Sequence, residues 1–261
     1  DRISVLINED KPILNQRSKV KNIINKNSDK RFWPKAVKAF NKVLASEYFW
    51  LDLSSKEHIE DHFSNHPLLY NDYFSEDKLM DLSQIISHII DFRSSFTATH
   101  SEGVATTAVC LSELLDFSNE QRNLMKIAGY FHDIGKLNVP VDILNKNDKL
   151  TKEEYNIIKT HTYYSYKILS EIKEIPHLKT WASYHHEKIN GKGYPFRING
   201  DNLSRGARIM AVADIFAALT EDRPYRKGME KDEVIKVYSG LVEDNSLDEK
   251  IVSVLIDNYG K

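Results

Sequence analysis

Apolar positions along the chain recur mostly at spacings of three and four. Phe40, Val43 and Leu44 form one such set, and Ile85, Ile86, Ile89 and Ile90 form another. That interval marks helices with one apolar face, and little β-branched alternation competes with it. The pattern predicts an all-α chain. Residues 77–92 read as a long helix and 104–115 as a second, closed by Asp116-Phe117-Ser118. Ser118, followed three residues later by Gln121, predicts a reciprocal N-cap that opens a helix running to Phe131. Thr151 with Glu154 predicts another. Upstream the pattern changes. Residues 1–52 form a first block ending in Tyr48-Phe49-Trp50, and a polar stretch from Lys56 to His66, closed by Pro67, follows it. The expected organisation is a helical N-terminal segment over 1–74 and a larger helical domain over 75–261.

A length of 261 residues suits one large domain or two modest ones with a sizeable core. Hydrophobic residues make up 41% and charged residues 28%, so disorder is not the expected state. A net charge of −2 gives no global basic field, which argues against a polymeric nucleic acid as partner. The single cysteine, Cys110, excludes a disulfide framework and fits a reducing cytoplasm. No apolar run approaches the roughly 20 residues that span a bilayer, so no membrane contact is expected from this segment. The chain starts at Asp1 without a charged-then-apolar leader, which suggests a processed chain or an excised fragment.

Ten histidines are present, and five of them fall into a pattern with two aspartates. His132-Asp133 lies in Tyr-Phe-His-Asp-Ile-Gly-Lys, and His185-His186 in Trp-Ala-Ser-Tyr-His-His-Glu. His100 stands upstream, His161 between the pairs, and Asp214 downstream in an apolar stretch. Neighbouring side chains on a helix differ in direction by about 100°, so an adjacent pair can hold two sides of one metal cluster. A carboxylate can bridge two cations, and imidazole suits zinc, iron, manganese or nickel. Seven ligands suit two metals with room for a shared hydroxide, an arrangement that stabilises the attacking and leaving oxygens of a phosphoryl displacement. His58, His62, His66, His88 and His177 lie outside this pattern and read as ordinary polar residues. Asp214 among apolar neighbours would be costly to bury unpaired. A metal, an N-cap or a salt bridge would each resolve that cost.

Two further stretches carry chemistry. Glu187-Lys-Ile-Asn-Gly-Lys-Gly-Tyr-Pro195 places two glycines near the histidine pair, which permits close approach to a ligand, and Tyr194 offers a stacking face and a hydroxyl. A plain turn is the simpler reading of this loop taken alone. In Glu221-Asp-Arg-Pro-Tyr-Arg-Lys227, Arg223 and Arg226 could grip phosphate through forked hydrogen bonds, although such a run is usually a solvated turn.

Together these residues resemble the HD-GYP family, a subgroup of the HD phosphohydrolase superfamily. The resemblance runs from about Ser94 to Met229. It includes His132-Asp133 with Gly135-Lys136, Leu144-Asn-Lys146, Leu150-Thr-Lys-Glu-Glu154 and His161. It continues through His185-His186-Glu187, Gly193-Tyr194-Pro195, Ala213-Asp214-Ile215 and Asp222-Arg-Pro-Tyr-Arg-Lys227. It implies an all-helical fold around a two- or three-metal site, often iron or manganese. It also implies hydrolysis of a cyclic dinucleotide, typically cyclic di-GMP. By position, His132, Asp133 and Asp214 would hold one metal with His100 nearby, and Asp133, His161, His185 and His186 the other. Lys136 would contact the scissile phosphate, and Gly193, Tyr194, Arg223 and Arg226 the nucleotide. Phe96 stands where three-metal members carry a glutamate, so two metals are expected. Thr162 and Ser165 replace a proline and a glycine of the family pattern, and Ala217 replaces an aspartate.

The resemblance also reaches residues 1–52. Asp1–Pro12 is similar to Asp214–Pro224 with one insertion, and Arg31–Phe40 is similar to the family's terminal helix. The N-terminal segment then reads as the tail of an upstream, degenerate repeat, with an upstream domain or a protein partner as its companion. The expected activity is that of a metal-dependent phosphodiesterase. Its rivals are 3′3′-cyclic GMP-AMP as substrate, a sensor that binds the nucleotide without turnover, and a di-iron oxygenase.

Overall fold

The computed structural model describes residues 6–8, 11–54, 76–93, 99–146, 148–222 and 227–259. Among these residues the elements are helices, and the only β contacts are isolated bridges, Ser28 with Phe32 and Asn190 with Asn199. None of the helices is long and apolar enough to cross a membrane.

Three helices precede the long polar stretch: α1 (Ile13–Lys26), α2 (Pro34–Val43) and α3 (Glu47–Ser54). After it come α4 (Glu76–Arg93), α5 (His100–Leu114) and α6 (Asn119–Phe131), then a 3-10 turn over Ile134–Asn138. Next are α7 (Val141–Leu144), α8 (Lys152–Ile158), α9 (Thr160–Ser170) and α10 (Leu178–Ser183). α11 (Arg205–Thr220), α12 (Lys231–Glu243) and α13 (Glu249–Asp257) close the chain. Both reciprocal caps form. Ser118 Oγ accepts from Gln121 N at 3.2 Å while Gln121 Oε1 accepts from Ser118 N at 2.9 Å, and Thr151 and Glu154 repeat the exchange at α8.

The main core lies where α5, α6 and α11 meet, around Val104, Ala108, Leu111, Met125, Ala128, Ile209 and Met210. The alanines on α5 and α6 let these helices approach closely, and the functional side chains sit at one end of this packing. A second core joins Val20, Ile24, Phe40, Trp50 and Leu51 of the N-terminal helices to Tyr163 of α9. Trp50 is fully buried and its indole donates to Leu44 O at 3.1 Å.

Two local readings are corrected. α5 begins at His100, four residues before the expected Val104, because its first turn is polar. Its N-terminus is capped from outside the helix: Asp91 of α4 accepts from Ser101 N at 3.1 Å and from Ser101 Oγ at 2.8 Å. The isoleucines of α4 are also not a single core stripe. Ile90 is buried and Ile86 is half-buried, whereas Ile85 and Ile89 are more than half exposed, in line with Leu82 and Phe92.

Candidate metal centre and active site

Five elements converge on the seven side chains that the sequence singles out. His132 and Asp133 close α6, His161 lies in the first turn of α9, and His185 and His186 follow α10. Asp214 sits within α11, and His100 opens α5. The ring directions of three histidines are set locally. His132 Nδ1 lies 2.7 Å from Gly129 O, His161 Nδ1 2.7 Å from Ile158 O, and His185 Nδ1 2.6 Å from Ala182 O. In each case the partner carbonyl is three residues back along the chain. A carbonyl only accepts, so Nδ1 carries the proton and Nε2 faces the centre, as in metal sites whose second ring nitrogen is held by a backbone carbonyl.

Two groups result. His100, His132 and Asp214 bring their ligand atoms together, and so do His161, His185 and His186, each set within 4.8 Å. Asp133 stands between them. Its Oδ2 is 3.0 Å from His132 Nε2, and its Oδ1 is 3.3 Å from His161 Nε2. His100 Nε2 reaches Asp214 Oδ1 at 3.4 Å, and His186 Nδ1 lies 3.9 Å from Asp214 Oδ2. Lys136 Nζ rests on Asp133 Oδ2 at 2.5 Å.

Burial and charge pull these groups apart electrostatically. Burial alone would raise the Asp133 carboxyl, but the neighbouring His132 and Lys136 hold it well below the usual carboxylate range. Burial likewise works against ionised Asp214, and His100 with the other rings keeps it low. Burial lowers His161 to about 3 and also lowers His185 and His186, so these rings are neutral. His100 goes the other way, to about 9, because Asp214 and Glu221 outweigh its burial.

The donor set fits divalent cations. With Nδ1 protonated and the rings neutral, His161 Nε2 and His185 Nε2 present bare lone pairs to each other at 3.2 Å in a buried site. Two acceptors at that distance are favourable only with a cation between them. Nitrogens each about 2.0–2.1 Å from one ion stand roughly 3 Å apart. His132 Nε2 is buried and makes no hydrogen bond, although it faces Asp133. These are the residues here that suit divalent cations.

Three residues to which the sequence reading gave no role at the centre shape it. Glu221, at the end of α11, accepts from Thr99 Oγ1 at 2.9 Å and sets Oε2 3.3 Å from His100 Nδ1. Glu221 thus sets a carboxylate charge beside His100 Nδ1, on the side of the ring where the other three histidines meet a carbonyl. Glu221→Ala should weaken metal binding in the His100 group by about 10- to 100-fold, read by competition with a metallochromic chelator, and Glu221→Gln should recover part of it. Unchanged affinity in both variants would remove this role. Ser165, noted as a departure from the family pattern, is buried; its hydroxyl donates to His132 O and accepts from Gly135 N, both at 2.9 Å. Glu187 accepts from Phe196 N, Arg197 N and Ile198 N at 2.7–3.1 Å and so fixes the far end of the glycine loop. None of these partners is close enough in sequence to be seen in a local pattern.

The loop itself approaches the centre. The Tyr194 ring lies 4.9 Å from that of His186. A Cβ on Gly193 would stand 2.4 Å from Glu187 Cα and 2.5 Å from Lys188 N, so only glycine lets the strand of chain pass there. Arg223 and Arg226, like Phe96, lie outside the described residues, as do His58, His62 and His66. His88 and His177 are exposed and belong to neither ligand group.

Comparison with known proteins places this arrangement. A 3′3′-cGAMP-specific phosphodiesterase of Vibrio cholerae is 32% identical over 226 residues, which is 85% of this chain and 52% of the relative. A cyclic di-GMP phosphodiesterase of Pseudomonas aeruginosa is 36% identical over 142 residues, covering 54% of this chain and 34% of that protein. The crystal structure of a cyclic GMP-AMP specific phosphodiesterase of Vibrio cholerae superposes with a TM-score of 0.51 at 28% identity, over 92% of this chain and 55% of that one. The chain thus spans about half the length or less of these relatives. The family model for the HD domain matches residues 84–251, the stretch that holds all seven side chains and the Gly-Tyr-Pro loop, and the chain belongs to the HD domain family.

Proposed function

We propose that this chain carries the catalytic domain of a metal-dependent cyclic dinucleotide phosphodiesterase. The observation that carries the reading is Asp133, which turns one oxygen to each of two histidine groups and so can hold two cations side by side. The site would take two divalent ions, with iron or manganese expected. His132, Asp133, Asp214 and His100 would hold one, and Asp133, His161, His185 and His186 the other. When bound, such ions supply Lewis acidity toward a phosphate and a strong nucleophile from water at neutral pH.

Hydrolysis adds one water across a P–O3′ bond: the water oxygen joins phosphorus, and a proton goes to the departing 3′ oxygen. No side-chain nucleophile is required. Asp133 fixes the two ligand groups at one separation. Lys136, beside Asp133 at the centre, faces the scissile phosphate and adds a point charge where negative charge develops. Tyr194 borders the site from the loop and supplies an aromatic face for the nucleotide. Arg223 and Arg226, three apart, hold the second phosphate of the ring. Arg226→Ala should raise KM for the cyclic dinucleotide about 10- to 100-fold, the scale of one charged hydrogen bond. Hydrolysis of a small phosphodiester, which has no distal phosphate, should change little. Equal losses on both substrates would assign the arginine to the fold.

Relatives named for cyclic di-GMP and for 3′3′-cGAMP both support the substrate class. Cyclic di-GMP is the first expectation, and the relative matched over 226 residues gives 3′3′-cGAMP a specific claim beside it. The deciding experiment is product analysis on a panel of cyclic dinucleotides with defined metals, combined with metal content. Linear product and two ions per chain are expected. Saturable binding without product would make the domain a sensor, substrate-dependent oxygen uptake would make it an oxygenase, and a third full ion with its own protein ligand would revise the metal count. The N-terminal helices we read as the tail of an upstream repeat that lacks a metal site. The upstream region of the full-length protein should then form a second helical domain.

A further inference from the structure

We propose that Glu47 is a positioning residue for the Gly-Tyr-Pro loop, so that the N-terminal helices form part of the scaffold of the substrate site. The inference deepens the phosphodiesterase reading and rests on it where Tyr194 is taken to meet substrate.

Glu47 opens α3 and is 1% exposed. Its carboxylate gathers three cations from three parts of the chain. Oε1 accepts from Arg17 of α1 at 2.8 Å, from Lys159 at the α8–α9 junction at 3.2 Å and from Arg197 at 3.2 Å. Oε2 accepts a second bond from Arg197 at 3.2 Å. One negative charge holds three positive ones, so the cluster flies apart electrostatically if that charge is removed. A neutral residue would leave three cations converging on one buried position with no counter-charge there, although Arg17 and Arg197 themselves keep contact with water.

Two of those cations border the loop. Arg197 lies three residues beyond Tyr194. Lys159 Nζ stands 5.6 Å from the centre of the Tyr194 ring, and its backbone runs straight into His161. The backbone adds two ties at the same place: Tyr48 N donates to Pro195 O at 3.0 Å and Ser46 Oγ to the same oxygen at 3.2 Å. The Tyr48 ring packs 4.8 Å from Phe196. Glu187 holds residues 196–198 from the opposite side. The loop that carries Tyr194 is therefore clamped between a glutamate beside the metal centre and a glutamate of the N-terminal segment. A simple docking ion pair would need one partner. Glu47 instead reaches Tyr194 by two routes, through Arg197 along the chain and through Lys159 over the ring.

The test is Glu47→Gln in the whole chain, which keeps the shape and removes the charge. Amide hydrogen exchange should accelerate about tenfold or more over residues 194–198, the signature of easier local opening, with protection in α5, α6 and α11 unchanged. Metal content and kcat on bis(p-nitrophenyl) phosphate should stay within about twofold of wild type, and KM for the cyclic dinucleotide should rise about tenfold. Arg17→Met should loosen α1 and leave loop exchange as in wild type, because Arg197 and Lys159 keep their carboxylate. If Glu47→Gln does not fold, Arg197→Met cuts only the loop's own tie and should still speed exchange at 194–198 without loosening α1–α3. Faster exchange confined to α1–α3, or equal kinetic losses on both substrates with loss of metal, would overturn the proposal. If the wild-type protein turns over no cyclic dinucleotide, the functional reading fails, while the exchange arm still decides the role of Glu47.

Discussion

Asp133→Ala should leave a folded protein that turns over cyclic dinucleotide at least about 10³-fold more slowly, at or beyond the scale seen when a single preorganised electrostatic contact is lost. It should retain less than one of the two expected ions after dialysis. The carboxylate reaches a histidine of the His100–His132–Asp214 group with one oxygen and one of the His161–His185–His186 group with the other, at 3.0 and 3.3 Å, whereas Asp214 approaches His186 only at 3.9 Å. Without it the two groups lose their shortest shared contact. Folding should suffer as well, because Lys136 Nζ and His132 Nε2 both lean on Asp133 Oδ2 at 2.5 and 3.0 Å. Removing one partner of a buried ionic cluster costs about 3–5 kcal/mol. The lower end applies here, since the Lys136 side chain keeps some contact with water. Elemental analysis, a thermal melt and a turnover assay on the same sample separate the two effects. Asp133→Asn should restore much of the packing but not the metal. A folded alanine variant with wild-type metal and turnover would make the His-Asp pair structural.

Gly135→Ala should be nearly as damaging for a steric reason. A Cβ at this position would lie 1.9 Å from His161 O, 2.5 Å from Ser165 N and 2.8 Å from His161 C. All three are backbone atoms of α9, so no side chain can swing away. The turn after Asp133 would have to back off from α9, which breaks the bond from Gly135 N to Ser165 Oγ and draws Asp133 away from His161. Overpacking of this kind costs about 3 kcal/mol or more, equivalent to a melting temperature lower by roughly 6–12 °C in a domain of this size. Metal content should fall with it, because the displaced atoms join two ligand-bearing elements. A melting curve and metal content indistinguishable from wild type would show that the close contact is not maintained in solution.

The legible parts of this protein were those written within a few residues. The caps at Ser118 and Thr151 appear in sequence because both partners lie three positions apart. The His-Asp and His-His pairs stand out because adjacent ligands are rare, and Asp214 because its apolar neighbours make it conspicuous. What could not be read was set by tertiary contacts. The start of α5 is fixed by Asp91 from another helix, Glu221 meets His100 across 121 residues, and Glu47 meets Arg197 across 150. Ser165 could be recognised as a departure from the family pattern, but its two hydrogen bonds explain why a hydroxyl is stable there. Ile85 and Ile89 repeat at helical spacing and still face outward, since periodicity gives a helix two candidate faces without saying which one the core will use.

The carbonyls that aim His132, His161 and His185 lie three residues back on each histidine's own stretch of chain. The aim of these rings is therefore inherited with a few consecutive residues and is insulated from the rest of the molecule. The loop around Tyr194 is held by other residues, Glu187 and Glu47, and the turn after Asp214 by others again. Substitutions in those outer stretches leave the aim of the rings unchanged. On the proposed function, a fold built this way is evolvable in one direction: nucleotide preference can drift by exchange of surface turns while the bond cleaved stays the same.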